Sequence, residues 1–323
     1  MCGISGILRF DPDSSELRPT VTAMTAMLAH RGPDEWGVYI GKNVALGHAR
    51  LSIVDLKMGH QPMAADGLVI SYNGEVYNYI ELREELEQHG IVFTTRSDTE
   101  VVIRAYRFWG KDAFSRFNGQ FAIILWDQNN RQMILARDRY GVRPLFVTRW
   151  RGAWYFASEM KAFDVLPGFR RTYNIQHLFE HGLLWNTVGS DTVYNNIRTV
   201  QPGTVETYRD GGPPAAYRFY SLGCMPQTPP ASFEEARDEL REMLRDAVRL
   251  RLRSDVPVGM YLSGGIDSSV LALLTSQVMG ERFKSFSVTF GDSDFDESVY
   301  QKEMVSFIGS EHHAAHISYD TIC

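Results

Sequence analysis

The chain has 323 residues, 44% of them hydrophobic, 22% charged and 12% aromatic, with a net charge of −6 and a pI of about 5.9. That length suffices for two domains with substantial cores, while the acidic balance excludes a basic nucleic-acid face and no apolar run nears the ~20 residues of a membrane span. The three cysteines, Cys2, Cys224 and Cys323, fit neither a disulfide framework nor a zinc-ligand spacing, and Arg9, Asp11 and Asp13 break any signal-peptide pattern. A reducing cytoplasm is the expected location.

The first informative element is the opening Met1-Cys2-Gly3-Ile4-Ser5-Gly6. Removal of Met1, which a residue as small as cysteine permits, would leave a thiol and a free α-amine on one residue. An α-amine titrates near pH ~8, low enough to serve as a base. The alternative is an ordinary buried cysteine. The pattern then predicts helices over 20–28, 79–89 and 98–109, the last N-capped by Ser97 or Asp98. Strands are expected at 44–54, 68–72, 119–126, 132–137, 144–148 and 153–157, with Asn129-Asn130 as a hairpin turn. Many strands with few helices over 2–210 suggest a layered α+β sandwich. Gly211-Gly212-Pro213-Pro214 and Pro226–Pro230 bound a polar stretch, so 211–231 reads as a linker. Ser232 and Glu235 form a capping box opening a helix to about Arg253, with Phe233, Ala236, Leu240, Leu244 and Val248 on one face. A strand at 258–262, a helix at 267–279 and a strand at 283–290 follow, a β-loop-α-β unit that implies a parallel sheet.

Between that strand and helix lies Ser263-Gly264-Gly265-Ile266-Asp267-Ser268-Ser269. Paired glycines let backbone approach a phosphate, and serine hydroxyls with helix N-terminal amides supply donors to an anion. A bare Gly-Gly would read as a generic turn; seven positions at a strand-to-helix junction are far more specific. Neither a Walker loop nor a dinucleotide fingerprint fits. In the front half, Arg50 can clamp a carboxylate, Asn73-Gly74-Glu75 offers a side-chain amide and a backbone N–H, and Asp98 offers a carboxylate. Taken singly, these could be a surface ion pair, a hairpin turn and an N-cap.

Together these segments resemble the class II (N-terminal-nucleophile) glutamine amidotransferases, specifically the glutamine-hydrolysing asparagine synthetase family. The resemblance spans Met1–Gly6, His30-Arg31-Gly32-Pro33-Asp34, Gly47–Val54, Gly59–Met63, Tyr72–Tyr79, Ser97–Glu100, Asn118-Gly119 and Ala136–Gly141. The loop resembles that of the N-type ATP pyrophosphatases. The implied fold is an α/β/β/α sandwich followed by a partial parallel-sheet ATP pyrophosphatase domain at 232–323. The resemblance implies Cys2 as nucleophile and Asn73 with Gly74 as oxyanion hole. It implies a glutamine pocket of Arg50, Leu51, Ser52, Ile53, Val54, Glu75 and Asp98. ATP would bind Ser263, Gly264, Gly265, Asp267, Ser268 and Ser269, with Leu262 and Val288 lining the adenine site. Mg²⁺ would arrive with ATP, Asp267 near it, without a protein metal cage.

Cys2 argues against the β-lactam synthetase branch, and the Ser263–Ser269 loop against the phosphoribosyl-transferring and sugar-phosphate branches. The implied reaction releases ammonia from glutamine through a Cys2 thioester and passes it to an adenylated aspartate. A related acceptor carboxylate and a non-catalytic glutamine-binding remnant remain alternatives. Family members are often homodimers, so a homodimer is the implied assembly. Family members also continue well beyond the equivalent of Cys323. The chain is therefore expected to be a fragment whose last segment, with about two parallel strands, is poorly stabilised alone. Glu311-His312-His313 is expected to be loop rather than metal site.

Overall fold

The computed structural model describes residues 1–10, 17–210, 212–223, 232–280, 283–291 and 296–318. It divides into two compact units, Met1–Gly223 and Cys224–Cys323.

The first unit holds two six-stranded sheets. One runs in the order β10 (Arg198–Thr199), β8 (Phe146–Trp150), β9 (Ala153–Ala157), β1 (Gly3–Leu8), β3 (Val44–Arg50), β2 (Glu35–Ile40). The other runs β12 (Ala215–Arg218), β11 (Thr204–Tyr208), β7 (Gln132–Arg137), β6 (Gly119–Asp127), β5 (Leu68–Val76), β4 (Met63–Ala65). Period-2 alternation builds the layers, because successive side chains leave a strand on opposite faces. In β6, Ala122, Ile124 and Trp126 join Ile4, Leu46 and Phe156 in the core between the sheets. Phe121, Ile123 and Leu125 face the other way, onto Val101, Val102 and Leu86 of α3 (Asp98–Trp109) and α2 (Tyr79–Gln88), with the short α4 (Ala113–Arg116) alongside. On the outer face of the first sheet, Ile7, Ala45 and Tyr155 meet Val21 and Met24 of α1 (Leu17–Ala26). The result is the helix–sheet–sheet–helix sandwich that the family resemblance implies.

Helix α3 shows how local signals set an end. Ser97 Oγ accepts from the Thr99 N–H at 3.1 Å, Asp98 and Glu100 occupy the first turn and Gly110 closes the last. The expected strand at 44–54 stops at Arg50, where the chain turns into a loop. The strand expected from Pro144 begins at Phe146, consistent with proline's missing N–H. The sequence reading did not anticipate α5 (Ile175–Leu184), none of whose residues is buried. Ala215–Arg218, inside the stretch read as linker, adds edge strand β12 to β11. Gly211, Pro226–Pro230, Cys224 and Cys323 lie outside the described residues.

The second unit opens with α6 (Phe233–Arg251), where Ser232 Oγ accepts from the Glu235 N–H at 3.1 Å. Parallel strands β13 (Gly259–Tyr261), β14 (Lys284–Phe290) and β15 (Glu311–Ile317) alternate with α7 (Ile266–Met279) and α8 (Ser298–Ile308). The sheet thus has three strands rather than two. Glu311-His312-His313 belongs to β15 and not to a loop: Ser285 Oγ lies 2.9 Å from His312 Nδ1 on the neighbouring strand. Among the described residues no helix is long and apolar enough to cross a membrane.

Candidate active site

The ends of β1, β3 and β5 converge on one pocket, lined by Cys2, Arg50, Leu51, Ile53, Val54, Asn73, Gly74, Glu75 and Asp98. Met1, Gln61, Tyr72 and Arg143 also line it. Cys2 sits just ahead of β1, its sulfur against the Leu51 backbone: the Leu51 N–H donates to Sγ at 3.4 Å and the thiol faces the Leu51 carbonyl at 3.6 Å. Burial pushes the Cys2 thiol up, while the Leu51 contact and the charge of Arg50 pull it back. The α-amine on Met1 is held below its usual 8.0 by burial and, with smaller effect, by Arg143 and Arg31, against the pull of Cys2.

Asn73 is 1% exposed, and both its amide nitrogen and its amide oxygen lack partners. Leaving buried polar atoms unpaired costs about 1–3 kcal/mol each, so such an amide facing a pocket marks a ligand position. The backbone of β5 supplies a second donor. Phe121, opposite Gly74, directs its N–H to Asp138 Oδ2 at 3.1 Å and receives the Asp138 N–H on its carbonyl at 2.9 Å. The amides at 72, 74 and 76 therefore point away from β6. Tyr72 N–H donates to Gln61 Oε1 at 2.7 Å and Val76 N–H to Asp98 Oδ2 at 3.3 Å. The amide between them, on Gly74, lies on the same side of the strand, in the lining of the pocket. Position 74 must be glycine, because a Cβ there would stand 2.0 Å from the Gln120 carbonyl oxygen.

Asp98 is 6% exposed and accepts from the Tyr72 hydroxyl at 2.9 Å. Burial raises its carboxyl; Tyr72 and the Val76 amide oppose that rise. Glu75 is pushed up to about 7 by burial and by the neighbouring Asp98, Arg143 pulling the other way. Arg50 holds its own loop, its terminal nitrogens donating to the carbonyls of Val54 at 3.3 Å, Asp55 at 2.8 Å and Leu56 at 3.4 Å, and to Glu35 Oε2 at 3.2 Å. Arg50 nonetheless lines the pocket. Ser52 does not: its N–H is spent on Asp34 Oδ2 at 2.8 Å.

A model of the glutamine amidotransferase domain matches residues 1–220, more than half of the chain, and one of asparagine synthase matches 239–322. The chain belongs to the glutamine amidotransferase family. It is 35% identical to asparagine synthetase [glutamine-hydrolyzing] 1 of Bacillus subtilis, an alignment covering 96% of this chain and 49% of that protein. It is 32% identical to amidase chry2 of Gibberella zeae, over 97% and 50%. The chain thus spans about half the length of these relatives. Among solved structures, the B. subtilis glutamine phosphoribosylpyrophosphate amidotransferase superposes with a TM-score of 0.52 at 18% identity, covering 98% of this chain and 81% of that one. That likeness bears out the sandwich fold.

Gln61, Tyr72 and Arg143 were missed by sequence reading. Gln61 comes from the loop that Arg50 folds, within a segment that carried the family resemblance but no assigned role. Arg143 is delivered by Asp138, which is 1% exposed and accepts the amides of Tyr140 at 3.1 Å, Val142 at 3.0 Å and Arg143 at 3.0 Å. A buried aspartate capping three N–H groups fixes that turn. The Arg-Asp-Arg-Tyr-Gly run was its signal.

In the second unit, Gly264 takes φ +97° at the turn before α7. Ser263 Oγ receives the Gly265 N–H at 3.2 Å and lies 3.0 Å from Ser268 Oγ, which donates to the Gly265 carbonyl at 3.1 Å. The loop is thus held by its own serines, with Ser269 in the first turns of α7 and Asp267 exposed at its start. Val288 is 42% exposed, whereas Leu262 is 1% exposed. Leu262 also gives its N–H to Phe286 at 2.8 Å and its carbonyl to Ser287 at 2.8 Å. Both backbone groups and the side chain of Leu262 are therefore engaged within the fold.

Proposed function

We propose that this chain carries the glutaminase half and the opening of the ATP-dependent half of a glutamine-dependent asparagine synthetase. The observation that carries this reading is the meeting of the Cys2 thiol, the unpartnered Asn73 side-chain amide and the Gly74 N–H, which points away from β6, in one pocket. With Met1 removed, the amine of Cys2 takes the proton of its own thiol, and Sγ attacks the side-chain carboxamide carbon of glutamine. Asn73 and Gly74 donate to the oxygen as it gains charge. The carbon–nitrogen bond breaks, ammonia leaves with the proton, and water opens the thioester to glutamate. Arg50 meets the substrate carboxylate; Asp98 and Glu75 meet its α-ammonium, which favours their ionised forms.

For the second half, the loop at 263–269, opening α7 in a parallel sheet, supports ATP binding. Its glycines and the α7 amides would hold the phosphates, and Asp267 would stand beside Mg²⁺. ATP activates the side-chain carboxylate of aspartate as an adenylate and releases pyrophosphate. Ammonia then displaces AMP. The likeness to a protein named an amidase supports a second reading, in which the same front half serves another carboxylate. A cytoplasmic location and a homodimer complete the proposal.

The test is ammonia release from glutamine by the wild type and by Cys2→Ala, with the mass of the N-terminal peptide. A loss of at least ~10³-fold in the variant, with Met1 absent from active protein, is expected. Equal rates would rule out the nucleophile. Pyrophosphate release dependent on aspartate, rather than on other carboxylates, separates the two acceptors.

A further inference from the structure

Cys2 precedes the first strand, so the β1–β3 ladder starts only after it, at Gly3 opposite Ala49. A residue at a chain end frays unless it is tied down. The tie comes from the residues after β9. Ser158 brackets Ile4, its N–H donating to the Ile4 carbonyl at 2.9 Å and its Oγ accepting the Ile4 N–H at 3.0 Å. Glu159 follows directly. Its Oε1 accepts from Arg31 Nη1 at 2.8 Å and pairs with His30 Nε2 at 2.9 Å, and its Oε2 pairs with Lys161 at 3.2 Å. Arg31, whose side chain is 9% exposed, turns its remaining arm to the nucleophile: Nε–H donates to the Cys2 carbonyl at 2.9 Å. Gly32 lets this segment lie directly on β3, since a Cβ there would be 2.2 Å from the Ala49 carbonyl oxygen.

We propose that Glu159 is a positioning residue for the attacking thiol: through Arg31 it fixes the Cys2 carbonyl, and so the direction in which the side chain leaves the backbone toward Asn73. The inference rests on Cys2 being the nucleophile. The planar guanidinium makes the relay directional, because its Nε and Nη1 donors lie in one rigid plane between Glu159 and Cys2. Three basic side chains gather on this carboxylate, and Arg31 links it to the Cys2 carbonyl. Burial pushes that carboxyl up, yet Arg31, His30 and Lys161 outweigh it and hold Glu159 at about 2, so the relay stays charged at working pH.

The experiment measures glutamine hydrolysis by the whole chain for wild type, Glu159→Gln, Glu159→Asp, Arg31→Lys and the Arg31→Lys/Glu159→Gln double variant. Misplacing a reacting group by about 1 Å costs on the order of 10²-fold, so Glu159→Gln should lower kcat by roughly 10- to 100-fold. KM should stay within about twofold, since Arg50, Asp98 and Glu75 keep their partners. Glu159→Asp should recover part of the loss, and the double variant should be no worse than Arg31→Lys alone. Alkylation of Cys2 by a small haloacetamide should slow in the same order, a readout that does not depend on turnover. An unchanged kcat, or a rise in KM alone, overturns the proposal. If Cys2→Ala hydrolyses glutamine like wild type, the nucleophile reading itself has failed; an inactive Cys2→Ala beside a fully active Glu159→Gln rejects only the role of Glu159.

Discussion

Strand β6 of the first unit and strand β14 of the second meet opposite fates. In β6, Phe121, Ala122, Ile123, Ile124 and Leu125 are all 0% exposed, sealed by helices on one face and by the second sheet on the other. In β14 the serines are the buried residues, Ser285 at 0% and Ser287 at 5%, while Phe286, Val288 and Phe290 are 37–42% exposed. The three buried apolar clusters of the described residues all lie in the first unit. A parallel sheet normally buries both faces. Its alternation is therefore complete in sequence but only half used in this fold. The lesson is that periodicity reports which face is apolar, and only the surrounding layers decide whether that face is inside.

The sharpest way to break this contrast is to delete the same side chain in both strands. Phe121→Ala should cost about 3–5 kcal/mol by chemical denaturation, because its cavity lies among Phe114, Phe117 and Val205. Phe286→Ala should cost less than about 1 kcal/mol, its ring already facing solvent beside Tyr261 and His313. Comparable losses would show that the second sheet is as well packed as the first.

An effect that is smaller for each pH unit is built into the first unit. His48, fully buried with Nδ1 3.1 Å from Ser71 Oγ, is pushed down to about 3 by burial and by Arg50. A histidine depressed in the folded state must take up a proton on unfolding. Its stabilisation is therefore complete above its unfolded value near 6.5 and is lost as pH falls toward 3. The first unit should lose roughly 1.4 kcal/mol per pH unit across that window, and His48→Gln should flatten the slope of Tm against pH. An unchanged slope would mean that folding does not depress His48.

The least effect belongs to α6. Arg245 meets Glu242 at 2.6 Å, but both side chains are largely exposed, 42% and 67%. Arg245→Ala should shift stability by no more than about 0.5 kcal/mol in thermal melts, the usual worth of such pairs. A larger loss would place that face of α6 against something.

Much of the site was legible because its chemistry needs particular residue types close together in sequence. Asn73-Gly74-Glu75 occupies one strand end, and Ser97-Asp98 one helix start. Cys2 and Arg50 were readable as candidates, but their meeting at the end of two neighbouring strands was supplied by the ladder pairing Ile4 with His48 and Gly3 with Ala49. Ser52 sits among pocket residues in sequence yet does not line the pocket, its backbone N–H bonding Asp34, since a loop has no fixed period to say which side chains point inward. Helix α5 escaped although Ile175, Leu178, Phe179 and Leu183 stand opposite Gln176, His177, Glu180 and His181 at helical spacing, and its apolar face is exposed rather than packed in the core. The strand at 215–218 escaped because four exposed residues beside Gly-Pro carry no burial pattern.

The outward amides of β5 have one more consequence. An open strand edge recruits other chains, and proteins ordinarily blunt such edges with charge, proline or a bulge. Here Gln61 and Asp98 stop the edge on either side of Gly74, so an approaching strand finds a single isolated donor instead of a ladder. The same arrangement that holds one amide ready for a small carboxamide makes this rim a poor template for aggregation.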